Sequence, residues 1–270
     1  MLLIGQKSNL EMINKWNSLP QFVIIKGDEH TGKSYLTLYL CQKFGLHYTR
    51  MNNGIGDVRK LLDIMQPDSN VLYHFKDFHT ASIRAKNSLL KITEEPIRGN
   101  YIVITGSTQL KTLQSRGREI VMSPYSRDEM IEYMSRYYSD ITLRDRLYVA
   151  GFNTPAKVEI YKQYEHIEPL LNYTYEIFDK LTFLSIDEII FMLHRFESRY
   201  DKVDACLLFL NMLINIVEYN IKEKHFYSYY NILSILIKSK QSLMYEPTLN
   251  RKFLLYRTFY DIYLLGVVKQ

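Results

Sequence analysis

The chain has 270 residues, 47% of them hydrophobic, and its 34 basic and 29 acidic residues give a net charge of +5. That length allows two or three small domains with packed cores, and the interspersed charges include no polybasic tail. The two cysteines, Cys41 and Cys206, exclude a four-cysteine zinc site and a disulfide framework, which favours a reducing cytoplasmic location. The sequence has no basic leader and no run of 18 apolar residues, so we expect neither a signal peptide nor a membrane span.

The first 120 residues alternate short apolar runs with segments of helical periodicity. This alternation is typical of a parallel sheet whose faces are covered by helices. Strands are predicted at 22–26, 70–75, 101–105 and 119–122, with a weaker one at 46–49, and helices at 8–17, 33–43, 56–65 and 80–92.

From residue 126 onward the pattern is helical. Ser126 and Glu129 form a capping-box sequence that predicts a helix start, and a second start at Ser185 follows a short break. We therefore predict an α/β domain at 1–123, followed by helical regions at 124–183 and 184–270. Their helices are predicted at 126–138, 142–150, 154–164, 167–180, 186–198, 201–221, 225–239 and 249–264.

The segment GDEHTGKS at 27–34 matches the pattern G-x-x-x-x-G-K-[ST] and lies between an apolar strand, FVIIK, and an apolar helix, YLTLYLCQKF. In such a loop the backbone amides and the helix N-terminus face the phosphates of a nucleotide, Lys33 reaches the β- and γ-phosphates, and Ser34 binds Mg²⁺. His30 occupies a variable position of the pattern, so we assign it no catalytic role. The sequence predicts ATP with Mg²⁺ as the ligand, bound by Gly27, His30, Thr31, Gly32, Lys33 and Ser34.

A nucleotide hydrolase of this kind also needs acidic groups at the end of a later strand, one carboxylate for Mg²⁺ and a glutamate for the attacking water. The predicted strand at 70–75 is followed by Lys76 and Asp77, and no glutamate comes directly after them. Asp77 is thus either a Mg²⁺ ligand or a turn residue. In both cases we do not expect efficient hydrolysis by this chain alone.

Residues 85–96, AKNSLLKITEEP, resemble the A-x-N-x-L-L-K-x-x-E-E-P signature of the clamp-loader subunits of bacterial DNA polymerase III, members of the AAA+ ATPase superfamily. The resemblance implies a RecA-like AAA+ ATPase domain at 1–123, a helical lid at 124–183 and a helical collar for oligomerisation at 184–270. Shorter segments are similar to other motifs of that family in the same order: IGQ at 4–6, beside the family's adenine pocket, DVRKL at 57–61, TLQSRG at 112–117 and GFNTPA at 151–156.

The TLQSRG segment carries the most specific implied role. In the family its arginine enters the ATP site of the neighbouring subunit, so the resemblance implies that Arg116 is a trans-acting arginine finger, which stabilises charge on the transferred phosphoryl group. The chain departs from the family pattern elsewhere: Gly117 replaces a cysteine, Thr154 stands where hydrolysing members have a nucleotide-sensing arginine, and the zinc module is absent, so no zinc site is expected. The missing glutamate after Asp77 and the missing arginine at position 154 favour the delta-prime subunit over the motor subunit.

The resemblance implies a delta-prime-like stator that binds ATP without efficient hydrolysis and completes the ATP site of a motor subunit during sliding-clamp loading. Its implied partners are the other clamp-loader subunits in a hetero-oligomer, the sliding clamp, and the phosphate backbone of primed DNA, contacted without sequence preference. Two alternatives stay open. One is an autonomous AAA+ ATPase, such as a motor subunit or a helicase loader, and the other is a nucleotide-independent scaffold.

Overall fold

The computed structural model of the protein describes residues 5–107, 111–162, 167–181, 183, 185–197, 203–246 and 250–267. The chain divides into two compact units, residues 1–129 and 130–270. The first unit contains a β-sheet with helices, and the second is built from helices.

A parallel sheet forms the centre of the first unit. Its strands are β1 (Phe22–Lys26), β2 (His47–Met51), β3 (Val71–Phe75), β4 (Asn100–Gly106) and β5 (Arg118–Val121). They lie in the order β2-β3-β4-β1-β5, and each neighbouring pair is parallel. Because the strands run in one direction, the segments that follow them meet at one edge of the sheet, which we call the carboxyl edge. The segments that precede them lie at the opposite, amino edge.

Helices cover both faces of the sheet. Val23 and Ile25 of β1 pack on one face and Ile24 packs on the other, and all three residues are fully buried. Such burial on both faces is expected of a central strand in a parallel sheet. The first face is covered by α1 (Lys7–Asn14) and α2 (Lys33–Lys43), and the second by α3 (Ile55–Ile64), α4 (Ile83–Glu94) and the short helix α5 (Lys111–Gln114).

The predicted α/β architecture is confirmed. All the predicted strands form, including the weaker one, and their bounds differ from the predicted ones by at most two residues. The helix predicted at 80–92 begins later, at Ile83, because Phe78–Thr80 form a 3-10 turn and Ser82 caps the helix by accepting a hydrogen bond from the Ala85 amide at 3.2 Å. The periodicity does not indicate α5, since a helix of 4 residues is too short to display one.

Helix α6 (Arg127–Met134) spans the division between the two units. The second unit contains α7 (Ile141–Val149), α8 (Pro155–Lys162), α9 (Ile167–Lys180), α10 (Ile186–Glu197), α11 (Val203–Lys224), α12 (Tyr230–Tyr245) and α13 (Arg251–Val267). Helix α11 contacts α7, α9 and α12, and α13 contacts α10 and α12. The predicted lid and collar therefore meet where α9 packs on α11. Their division at residue 183 stays a prediction.

Residues Asp204–Lys224 of α11 are long and apolar enough to cross a membrane by length and composition alone. In the helical unit, 67% of the most apolar part of this stretch is buried. Phe209, for example, has no exposed surface and packs against the rings of Tyr173 and Phe259. Packing inside the unit accounts for the apolar composition of this helix.

Candidate nucleotide-binding site

The predicted phosphate loop connects β1 to α2 at the carboxyl edge of the sheet. Close packing requires both of its glycines: a β-carbon on Gly27 would lie 2.8 Å from the Met122 Cβ, and one on Gly32 would lie 2.8 Å from the Tyr125 hydroxyl oxygen. Gly32 also has a φ of 90°, a left-handed conformation that favours glycine. The loop therefore rests directly on residues 122–125, the segment that follows β5.

Lys33 is folded back into the loop. Its Nζ donates hydrogen bonds to the carbonyl oxygens of Gly27, at 2.8 Å, and of Asp28, and only 9% of the residue is exposed. Burial lowers the pKa of Lys33, and the carboxylates of Asp77, Asp28 and Glu29 oppose that change. The ammonium group is thus a partly desolvated cation, and it attracts an anion more strongly than the same charge in free water.

The other predicted loop residues supply backbone and hydroxyl groups. Thr31 is buried, and its hydroxyl donates to the Asp28 carbonyl at 2.8 Å. His30 is exposed, with a φ of 62°, so it contributes a turn in the backbone. Ser34 lies in the first turn of α2, where the helix N-terminus leaves amide groups without helical partners. These residues come together around one loop, and their roles in binding stay predictions.

Asp77 lies at the same edge of the sheet, just beyond the end of β3. It has a φ of 54°, and its N–H donates to the Thr105 hydroxyl at 3.3 Å. Its side chain is 47% exposed, and the carboxylate lies 3.9 Å from the Lys76 Nζ. Of these two charges, the Asp77 carboxylate acts more strongly on Lys33. The role of Asp77 as a Mg²⁺ ligand stays a prediction.

A chain of hydrogen bonds through the buried His74 reaches the turn that carries Asp77, and the sequence shows of it only a histidine in an apolar strand. His74 of β3 is 1% exposed; its Nδ1 lies 2.8 Å from the Tyr48 hydroxyl, and its Nε2 lies 3.2 Å from the Thr105 hydroxyl. Burial lowers the pKa of His74 to about 4, and the charge of Arg50 adds to this effect. The ring is therefore uncharged at neutral pH, and the chain connects the edge strand β2 to the turn that carries Asp77.

Gln6 joins the beginning of the described chain to the segment after β5. Its Nε2 donates to the Ser123 carbonyl at 2.6 Å, and the Ser123 N–H donates to the Gln6 Oε1 at 3.2 Å. Gln6 is 7% exposed and has a left-handed φ of 60°. Of the IGQ segment, Ile4 lies outside the described residues. The predicted place of this segment beside an adenine pocket stays a prediction.

Arg116 lies at the amino edge, opposite the loop. It precedes β5, whose first residue, Arg118, is aligned with Val23 near the start of β1. The guanidinium donates to the Glu94 carboxylate at 2.6 Å and to the Thr112 carbonyl at 2.8 Å, and the side chain is 34% exposed. Glu94 belongs to the segment that resembles the clamp-loader signature. The structure therefore brings two of the family-like segments into contact.

The GFNTPA turn lies in the helical unit. Thr154 precedes α8 and caps it, because its hydroxyl accepts a hydrogen bond from the Lys157 N–H at 3.3 Å, and the residue is 9% exposed. Gly151 has a φ of 101°, and a β-carbon there would overlap the Asn215 Nδ2. Position 154, which the resemblance aligns with a nucleotide-sensing arginine, is thus a buried, uncharged helix cap in this chain.

No protein-family model matches the sequence, and no curated protein matches it. Among solved structures, the chain matches a DNA polymerase III gamma subunit-related protein of Thermotoga maritima, with 17% identity and a TM-score of 0.47 over 97% of this chain and 100% of the other. It is also similar to the RuvB Holliday junction branch migration motor of Thermotoga maritima, with 13% identity and a TM-score of 0.51 over 82% and 78%. A variant of RuvB from the same organism matches with 13% identity and a TM-score of 0.52 over 98% and 88%. The chain has the AAA+ ATPase fold.

The AAA+ fold orders the candidate residues in space. The phosphate loop and Asp77 follow strands and lie at the carboxyl edge, whereas Arg116 precedes a strand and lies at the amino edge. The structural match to RuvB shows a shared fold, and at 13% identity it does not transfer the activity of RuvB to this chain. The predicted AAA+ architecture is therefore confirmed.

Proposed function

We propose that this AAA+ protein is a clamp-loader subunit of the delta-prime type. In this role it binds ATP with Mg²⁺ through Lys33 and Ser34, hydrolyses it slowly or not at all, and inserts Arg116 into the ATP site of a neighbouring motor subunit. Its partners are other clamp-loader subunits, joined through a collar at 184–270, together with the sliding clamp and primed DNA. One observation carries the proposal: the phosphate loop and Arg116 lie at opposite edges of the same sheet.

The separation between these edges argues against a role for Arg116 at the nucleotide bound by its own chain. Strand β1 runs from Phe22 to Lys26, which is roughly 13 Å at 3.3 Å per residue. Arg116 lies beyond the amino end of that span, and Glu94 holds its guanidinium there. An arginine in this place serves an ATP site when a second subunit presents its own loop to the amino edge.

The ion pair with Glu94 leaves Arg116 able to change partners. The two side chains are 34% and 50% exposed, and ion pairs of this exposure contribute about 0 to 1 kcal/mol to stability. A triphosphate offers more negative charge and more acceptor oxygens than one carboxylate, so it can replace Glu94 as the partner of the guanidinium. A purely structural role and a catalytic role in trans therefore predict different results when Arg116 is removed.

The residues of the turn after β3 agree with the proposal that this chain hydrolyses ATP slowly or not at all. Asp77 is followed by Phe78, His79 and Thr80 in a 3-10 turn, and Phe78 is fully buried. This turn has no glutamate to polarise an attacking water molecule. In the helical unit, Thr154 adds no positive charge that could sense the γ-phosphate.

The test is the Mg²⁺-dependent ATPase activity of the purified chain, alone and mixed with a clamp-loader motor subunit from the same genome. We expect little turnover by the chain alone and an increase in the mixture. Arg116→Ala should remove that increase, since arginine fingers contribute roughly 10³-fold or more to kcat. The matched control is Arg118→Ala, which removes an exposed arginine from the same edge and should preserve the increase.

Other outcomes separate the alternatives. Robust turnover by the chain alone, abolished by Lys33→Ala, would identify a motor and overturn the stator proposal. Assembly with partner subunits without any binding of Mg²⁺-ATP would identify a scaffold. An Arg116→Ala variant that unfolds far more easily than wild type would point to a structural role for the arginine, because the exposed ion pair predicts a loss of at most about 1 kcal/mol.

A further inference from the structure

We infer that Tyr125 is a positioning residue for the phosphate loop: its hydroxyl fixes the peptide group between Thr31 and Gly32, so that the Gly32 amide faces bound phosphate. The inference rests on the proposed nucleotide site and adds to it a residue outside the loop motif. The hydroxyl donates to the Thr31 carbonyl oxygen at 3.2 Å, a contact between residues 94 positions apart in the sequence.

The geometry of the peptide bond gives this contact its consequence. In a trans peptide the C=O and N–H groups lie in one plane and point in opposite directions. When Tyr125 holds the Thr31 carbonyl on its own side, the Gly32 N–H is directed to the other side of the loop. In the phosphate-loop pattern the backbone amides are the groups that bind phosphate. The tyrosine therefore orients an amide group that donates a hydrogen bond to the phosphate, without touching the phosphate itself.

Tyr125 is held in place from the amino-terminal side. Gln6 exchanges two hydrogen bonds with Ser123, at 2.6 Å and 3.2 Å, and the Asn9 side chain donates to the Val121 carbonyl at 2.9 Å. The same Asn9 amide also donates to Gln6 at 2.9 Å. The backbone that leads from β5 to Tyr125 is thus attached to α1 at several points.

A reciprocal capping box holds the other side of Tyr125. The Ser126 N–H donates to the Glu129 carboxylate at 2.9 Å, and the Glu129 N–H is directed at the Ser126 hydroxyl at 3.3 Å. Tyr125 is 9% exposed, and its hydroxyl oxygen lies 2.8 Å from the point where a Gly32 β-carbon would be. The backbone on both sides of Tyr125 is held by hydrogen bonds, and its side chain is buried. Tyr125 is therefore a fixed surface on which the phosphate loop packs.

The protonation state of Tyr125 agrees with the role of a donor. Burial raises the pKa of its hydroxyl, and the nearby Glu129 and Tyr35 raise it further. The group therefore keeps its proton at neutral pH and can donate it in the hydrogen bond. A phenylalanine would fill the same space, so packing alone does not require the hydroxyl.

The experiment is isothermal titration calorimetry of the full chain with Mg²⁺-ADP and with AMP, for wild type and for Tyr125→Phe. We expect Kd for Mg²⁺-ADP to rise roughly fivefold to tenfold, the effect of one lost hydrogen bond. Affinity for AMP should change less, because AMP lacks the β-phosphate that the loop holds. A general loss of structure would weaken both ligands together, so the ratio of the two affinities distinguishes positioning from stability.

The matched control is Tyr173→Phe, which removes another buried tyrosine hydroxyl, one that donates to the Met192 carbonyl at 2.6 Å in the helical unit. Tyr173→Phe should lower the unfolding midpoint by about as much as Tyr125→Phe does, and it should leave the ratio of the affinities for ADP and AMP unchanged. If Tyr125→Phe folds poorly, Gln6→Ala provides a second variant, which loosens the same segment and should shift the ratio in the same direction. An unchanged ratio in the Tyr125 and Gln6 variants overturns the inference while the nucleotide site stands. Absence of ADP binding by wild type overturns both.

Discussion

At the scale of single residues, His74 makes the stability of the sheet depend on pH. Its pKa is about 4 in the folded chain, below its ordinary value of 6.5, because the ring is buried between Tyr48 and Thr105. Between these two values the unfolded chain binds a proton that the folded chain does not bind. The contribution of the uncharged His74 ring to the free energy of unfolding is therefore complete above pH 6.5, and it is lost as the pH falls towards 4.

We expect the contribution of His74 to fall by roughly 2 kcal/mol between pH 7 and pH 5. Urea unfolding of wild type and His74→Gln at both pH values measures it, since glutamine can form hydrogen bonds but does not titrate. His47→Gln, which replaces an exposed histidine of β2, is the control and should keep the wild-type pH dependence. Equal pH dependence in wild type and His74→Gln would contradict the assignment.

The residues of the site differ in how visible they are in the sequence. Gly27, Gly32 and Lys33 lie within eight consecutive positions whose pattern reflects one local task, the enclosure of a phosphate. Tyr125 and Glu94 act through partners 94 and 22 positions away. Such pairs are created by the crossing of strands and helices, so no local pattern of residue types encodes them.

At the scale of elements, the turn before α8 depends on a glycine. Gly151 combines a φ of 101° with close contact to Asn215 of α11. We expect Gly151→Ala to destabilise the protein by roughly 1 to 3 kcal/mol, through backbone strain and steric overlap. Chemical denaturation followed by circular dichroism measures the change.

The control for this prediction is the same substitution in an open place. Gly56 lies in α3, and a β-carbon there meets nothing within 4 Å. Gly56→Ala should therefore be neutral or stabilise the protein by up to about 1 kcal/mol, because alanine favours helix. Similar losses from both substitutions would show that the turn before α8 is less constrained than its geometry indicates.

The elements themselves were largely predictable, for a physical reason. Strands β1, β3 and β4 are buried, so their apolar runs are continuous and bounded by polar turns. The predicted start of α4 at residue 80 is three residues too early, because Thr80 is the last residue of a 3-10 turn and Ser82 caps the helix that follows. Turn and helix are almost continuous in the sequence, so only the backbone conformation separates them.

At the scale of the whole molecule, the two edges of the sheet should be separable by mutation. We expect Lys33→Ala to abolish nucleotide binding by this chain and to preserve most of its stimulation of a motor subunit. Arg116→Ala should have the opposite pattern, with nucleotide binding intact and stimulation lost. Both properties can be measured on the same preparations, by titration with Mg²⁺-ATP and by ATPase activity of the mixture. Loss of both properties in both variants would argue against separate roles for the edges.

The sequence predicts the fold of this chain more completely than it predicts its function. The alternation of strands and helices and the phosphate-loop pattern predict a parallel α/β fold, the resemblance to clamp-loader motifs implies its AAA+ form, and the structural similarity to RuvB agrees with both. The proposed role of Arg116 depends on a surface that another subunit would cover. A single chain defines only one half of such a contact, so its sequence indicates the residue and leaves the partner to experiment.

The single direction of the strands has a consequence for assembly. A subunit that holds nucleotide at one edge and offers an arginine at the other has a front and a back. A dimer joined only through its two carboxyl edges would place front against front, and no arginine would reach a nucleotide. The proposed function therefore requires a head-to-tail series, in which each position has a defined predecessor and successor, and the neighbour that receives Arg116 would set the place of this chain in that series.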